Sequence, residues 1–192
     1  EEDPDQLEHL FKLDHLATRM RRNAESLLVL AGAEPPRRRS RPIALADVVR
    51  VAVGEVEDFT RISLLALDEV TVGGNVAVDL AHLLSELMEN ATHFSPPDTR
   101  VEVVGHRTRD DGYIISVSDQ GIGMSADQLA EANQLMAEPP LVGLALSRSL
   151  GFIVIGRLAA RFGVSVRLTS APSGGVTALV GLPPSLVSDV SE

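Results

Sequence analysis

The 192-residue chain has no cysteine and no tryptophan. Without cysteine there is no disulfide scaffold, no thiolate zinc site and no cysteine nucleophile. Aromatic residues are scarce, at five phenylalanines and one tyrosine, so the core has to be built from Leu, Val, Ile and Ala. Lysine is all but missing. Of 17 basic residues only Lys12 is a lysine, which excludes a P-loop lysine, a Schiff base and a β-strand kinase lysine from the rest of the chain. No apolar run reaches the roughly 18 residues that a membrane span needs. The chain opens on Glu1 with no signal peptide. It reads as a cytoplasmic piece of a longer protein, with any membrane anchor outside it.

What is present defines a folded domain. Apolar residues make up 44% and charged residues 23%, with a net charge of −10. That charge argues against a nucleic-acid partner, which would demand a basic surface. The charge is unevenly placed. Residues 1–43 carry eight acids and eight bases, whereas residues 44–192 carry nineteen acids and nine bases. The join is Glu34-Pro35-Pro36-Arg37-Arg38-Arg39-Ser40-Arg41-Pro42, a linker by its prolines and clustered arginines.

Before the linker, Leu10, Leu13, Ala17, Met20, Ala24, Leu27 and Ala31 repeat in steps of three and four. This is a coiled-coil seam on one helix over 5–33. A single helix cannot bury such a stripe. A second copy of the chain is the expected partner, and folding back onto 44–192 is the alternative. After the linker, helices are expected over Ala44–Phe59, Asn75–His93, from the cap Ser125 to about Met136, and over Gly151–Phe162. Strands are expected at Ile62–Leu67, Val70–Val72, Arg100–Arg107, Tyr113–Ser118, Val164–Thr169 and Val176–Leu182. Most strands fall in hairpins, which predicts an α+β sandwich, a mixed, mostly antiparallel sheet with helices on one face.

Four segments carry candidate chemistry. His82, Glu86 and Asn90 lie at i, i+4 and i+8 and share one face of the Asn75–His93 helix. A carboxylate and an amide one turn apart can orient a water and hold a hard cation such as Mg²⁺ through oxygens. Alternatively they form an ordinary solvated face. Asp119-Gln120-Gly121-Ile122-Gly123 follows a strand; glycines allow close backbone approach and the aspartate can accept from an exocyclic amine. The low-charge stretch Glu138–Leu150 has the makings of a lid. In Gly174-Gly175-Val176-Thr177 the threonine hydroxyl either faces a site or pairs across the sheet.

Taken in order, Glu86-Leu87-Met88-Glu89-Asn90-Ala91, Asp119-Gln120-Gly121-Ile122-Gly123, Leu150-Gly151-Phe152 and Gly174-Gly175-Val176-Thr177 resemble the N, G1, G2 and G3 boxes of the GHKL (Bergerat-fold) ATPases, which include gyrase, Hsp90, MutL and histidine kinases. The resemblance covers about residues 44–183. Leu13-Asp14-His15-Leu16-Ala17-Thr18-Arg19-Met20 looks like the helix before the ATPase domain in actinobacterial sensor histidine kinases of the conservon type.

The resemblance implies a Bergerat-type domain over 44–185, with a dimerisation or phosphotransfer helix at 1–34, a linker at 35–43 and a tail at 186–192. It implies ATP and Mg²⁺ as cofactors, with Asn90 as the Mg²⁺ ligand, His93 approaching the phosphates, Asp119 on the adenine amino group with Gly121 and Gly123 beside it, and Thr177 near the adenine. Glu86 stands where gyrase-like members have a general base. The implied activity is transfer of the ATP γ-phosphoryl to a histidine in two-component-type signalling, within a homodimer that acts on a response regulator or another signalling protein. His15 is the candidate phosphoacceptor; taking Leu10 and Leu13 as a and d puts it at f, off the seam. The alternatives are an ordinary exposed residue there and a histidine outside this chain.

The sequence departs from the family where a strong G2 box reads G-x-G-L-G-L. Here Ser147-Arg148-Ser149-Leu150-Gly151-Phe152 occupies the run. Two serines forced into left-handed backbone would each cost about 1–2 kcal/mol. Arg148 is the candidate for a compensating phosphate contact beside Gly151. No phenylalanine-containing F box is visible in the lid. The alternative function is therefore a degenerate kinase that serves as a dimeric scaffold.

Overall fold

The computed structural model describes residues 9, 10, 13, 14, 16, 17, 20, 21, 24, 41–140 and 147–190. Its centre is a five-stranded sheet. In chain order the strands are β2 (Ile62–Leu67), β4 (Val101–Arg107), β5 (Tyr113–Ser118), β6 (Ser165–Ser170) and β7 (Val176–Leu182), and they lie side by side as β2-β4-β5-β7-β6. β2 and β4 run parallel, with a bulge between Leu64 and Ala66; every other pair is antiparallel. A small second sheet joins β1 (Ile43–Ala44), β3 (Thr71–Val72) and β8 (Val187–Ser188). β8 lies within the stretch assigned to the tail.

Strand alternation sets the inner face. Val101, Val103, Tyr113, Ile115, Val117, Ala178, Val180 and Leu182 are buried, and the residues between them are more exposed. The helices on that face are α2 (Gly74–His93), α3 (Ala126–Ala137) and α4 (Ser147–Phe162), with α1 (Leu45–Gly54) packed on α2. Leu80, Leu83, Leu84, Leu87 and Met88 of α2 and Val154, Ile155 and Leu158 of α4 complete the core. The expected two-layer α+β sandwich is the observed architecture.

Differences from the expected elements have local causes. α1 stops at Gly54, short of Phe59, because glycine is a poor helix former; Phe59–Arg61 make a separate 3₁₀ turn. α3 opens on a full capping box, with Ser125 Oγ accepting from Gln128 N and Gln128 Oε1 accepting from Ser125 N. α4 begins four residues before Gly151, at Ser147. It ends at Gly163, whose φ of +68° is the left-handed closure that glycine permits. Along the expected N-terminal helix the described positions are helical, and Leu10, Leu13, Leu16 and Met20 are exposed. Arg21 reaches Glu55 beyond α1 at 2.6 Å.

Candidate functional site

A cavity of about 310 Å³ opens between α2, α3, the start of α4 and the sheet. α2 brings Leu87, Asn90 and Ala91 to it, and Phe94 just follows. β5 contributes Val117 and leads into Asp119, and β7 contributes Val176 and Ala178. Most of the wall is aliphatic, which suits an apolar or aromatic group of a ligand. Its polar groups are few and fixed.

Asp119 is buried and held from below. Its Oδ1 accepts from Gly121 N at 2.8 Å and from Val176 N at 3.2 Å, and its own N–H donates to Val176 O at 3.0 Å. Among the described residues no donor reaches Oδ2, which leaves one carboxylate oxygen for a ligand in the cavity. Glycine is demanded around it. A Cβ on Gly175 would collide with the Asp119 carbonyl oxygen, and one on Gly121 would lie 2.6 Å from Phe94 O. Gly123 lines the cavity with a φ of +77°.

Asn90 faces Asp119 from α2. Its Nδ2 is buried and has no hydrogen-bond partner. An amide donor left so buried would cost about 1–3 kcal/mol, so its hydrogen bond is completed by a water or by an acceptor on a ligand. One turn earlier, Glu86 is also buried, with Oε1 3.5 Å from His82 Nε2. The rail His82–Glu86–Asn90 is therefore an internal polar row, and the solvated-face alternative does not hold. A Cβ on Gly151 would stand 3.6 Å from Asn90 Nδ2 and 3.9 Å from Glu86 Oε2, so the first turns of α4 close over the Asn90–Glu86 end.

The other expected residues sort differently. Gly151 meets the Asn90 end from α4. His93 ends α2, exposed, with its ring edge-on to Phe94 at 5.3 Å; it does not line the cavity. Thr177 pairs across the sheet: its hydroxyl lies 2.8 Å from Ser118 Oγ, while its neighbours Val176 and Ala178 face the cavity. Strand alternation turns it away from the place by the adenine that the resemblance implied. Arg148 lies on the first turn of α4, its side chain outside the described residues, and His15 lies outside them altogether. The strain expected at Ser147 and Ser149 is absent, because both have helical backbone, and the one described non-glycine residue with positive φ is Asp111.

Sequence reasoning missed part of the wall. Phe94, Met124, Leu135, Phe152 and Leu168 line the cavity, as do Gln128 and Glu131 of α3. The apolar ones signalled only ordinary apolar periodicity, which does not distinguish a core position from a cavity position, and Gln128 and Glu131 looked like any polar helix residues.

The sequence profile described as "Histidine kinase-, DNA gyrase B-, and HSP90-like ATPase" matches residues 75–186. The sensor protein QseC of Salmonella typhi is 29% identical over 121 residues, covering 62% of this chain and 25% of QseC. The chain thus spans about a quarter of the length of the known relatives it matches. Among solved structures, the mycobacterial sensor histidine kinase MprB superposes with a TM-score of 0.59 at 20% identity, covering 75% of this chain and 97% of that one. Full-length ShkA in complex with AMPPNP gives 0.68 at 17% identity, covering 98% of this chain and 40% of that one. At these identities the two structures speak for the fold, which is the Bergerat arrangement of histidine-kinase ATPase domains.

Proposed function

This chain belongs to the family of histidine kinase-, DNA gyrase B- and HSP90-like ATPases, and on that premise we propose that it is the ATP-binding catalytic domain of a sensor histidine kinase. The observation that carries the reading is the pair Asp119 and Asn90 across one cavity, each with a polar atom left over. Asp119 Oδ2 is an acceptor suited to the adenine amino group, and the aliphatic walls suit the purine faces. Support for ATP also comes from the family's description and from a structural neighbour that holds AMPPNP.

The donor set fits Mg²⁺. Asn90 and Glu86 offer oxygens, the ligand type a hard cation prefers. Asn90 would hold it, and the ion would neutralise charge on the phosphoryl group being transferred. Asp119 orients the base, the glycines let backbone approach, and Glu86 lies beside the phosphate end with His82 against it. Positioning of this kind supplies most of the catalysis in phosphoryl transfer.

The acceptor is a histidine, His15 or one in another part of the protein. The assembly is a homodimer through the exposed seam Leu10, Leu13 and Met20, signalling to a response regulator. The resemblance to conservon-type actinobacterial kinases remains the basis for a narrower assignment. The scaffold alternative loses its main argument, since Ser147 and Ser149 sit in α4 without strain.

The test is calorimetric titration with Mg²⁺ and a non-hydrolysable ATP analogue, beside Asp119→Ala. Micromolar binding that Asp119→Ala abolishes is expected. No heat at millimolar ligand from the folded protein would refute the reading. Radiolabel transfer from ATP to an acid-labile, alkali-stable phosphoprotein then separates a histidine acceptor from a serine one.

A further inference from the structure

Cavities of this kind need two walls held at a fixed separation, and α3 is the weakly held wall. Only Ala132 and Met136 of its residues are buried. Beyond those anchors and the packing of its last turn on Gly156 of α4, its tie to the sheet is polar. Asn133 Nδ2 donates to Leu168 O at 3.0 Å, and Asn133 Oδ1 accepts from Leu168 N at 2.7 Å. β6 is an edge strand, bonded to β7 alone. The side-chain amide has the donor and acceptor geometry of a peptide group. It takes the place that a further strand would occupy and satisfies both outward-facing groups of Leu168 at once. The paired residues adjoin the cavity directly. Leu168 lines it, and so does Ala132, the neighbour of Asn133.

We infer that Asn133 is a positioning residue for the nucleotide site: its two-bond latch to the edge strand keeps α3 docked, and the docked α3 is the binding-competent state. This rests on the nucleotide reading of the cavity. Asn133 need not touch the nucleotide. Its effect is on the fraction of molecules in which the α3 wall is in place, and apparent affinity falls in proportion to that fraction.

Asn133→Asp tests this, because it keeps the volume and removes only the donor, setting a carboxylate oxygen against the Leu168 carbonyl. Packing alone would leave it like the wild type. The inference expects binding of Mg²⁺ with a non-hydrolysable ATP analogue to weaken about tenfold. It expects amide exchange at Leu168 to quicken by a similar factor, with β5 and β7 amides unchanged. Asn133→Ala serves as a second variant that loses both bonds without adding charge. In the wild type, which needs no variant to fold, nucleotide should slow Leu168 exchange. Wild-type affinity in either folded variant, or Leu168 exchange indifferent to nucleotide, overturns the inference. Failure of the wild type itself to bind would refute the nucleotide reading and the inference with it, and the Asp119→Ala control marks that case apart.

Discussion

Tyr113 shows what one side chain can report. It is the chain's single tyrosine, its ring is buried, and its hydroxyl donates to Asp68 O at 3.0 Å. The hydroxyl reaches that carbonyl only because β4 has glycine alongside: a Cβ on Gly105 would lie 2.6 Å from it. Burial, and then the negative charge of Asp68, push the phenol up from 10.0 to about 12. The sign follows directly. Between these values the unfolded chain loses the phenolic proton while the folded chain keeps it, so this contribution is complete below pH 10 and is lost as pH rises towards 12. With no tryptophan to interfere, ultraviolet titration of the native protein should show a phenolate midpoint near 12, falling to about 10 in denaturant. Tyr113→Phe should lower stability by about 1 kcal/mol at neutral pH for the lost hydrogen bond and flatten the decline between pH 10 and 12. A native midpoint near 10 would mean that the phenol is open to water.

At the scale of elements, the site depends on how closely α3 and α4 approach. Gly156 of α4 packs on the last turn of α3, where a Cβ would run into the Met136 carbonyl oxygen. Gly156→Ala must push the helices apart and should cost about 1–3 kcal/mol as overpacking, read as a lower denaturation midpoint. Its effect on nucleotide affinity should follow, because both helices border the cavity. Ser125→Ala removes half of the capping box and should cost about 1 kcal/mol. Elements of this kind were legible where one residue decides: Ser125 starts α3, Gly163 ends α4, and alternation marks β5 and β7. Asn90, Asp119, Gly121 and Gly123 were legible through the order of their segments along the chain, which resembles the GHKL boxes; their spacing alone fitted an ordinary helix face and a turn equally well. What sequence could not supply was anything fixed by distant pairing. β1 and β8 are two-residue strands that exist only by pairing with β3, the one of the three that the expected Val70–Val72 strand contains. The parallel bond of β2 to β4 crosses over α2, and Asn133 looks like any polar helix residue until β6 is placed beside it. Thr177 was left open for the same reason, since its facing depends on the register against Ser118.

Across the whole molecule the helical layer is held to the sheet by apolar burial and a few internal polar ties. One is Arg161 Nη1 to Asp79 Oδ2 at 3.1 Å, joining α4 to α2 with both side chains largely buried. Another is Arg61, which donates to the carbonyls of Thr92, Ser95, Pro96 and Thr99 and so fixes the turn leaving α2. These ties join the α2 and α4 walls of the cavity to the unit that unfolds on heating. A ligand bridging Asp119 of the sheet and Asn90 of α2 must then stabilise the entire domain, by an amount set by its concentration relative to its dissociation constant. At a hundredfold excess over that constant, linkage gives about 2.7 kcal/mol, or a rise of roughly 5–11 °C in melting temperature for a domain of 150–250 residues. Mg²⁺ with a non-hydrolysable ATP analogue should produce that rise in the wild type. Asp119→Ala should abolish it; the unliganded variant should itself melt below the wild type, because the buried donors Gly121 N and Val176 N lose Oδ1 as their acceptor, so the shift is read for each protein against its own unliganded melting temperature. A shift that survived Asp119→Ala would place the nucleotide elsewhere on the molecule.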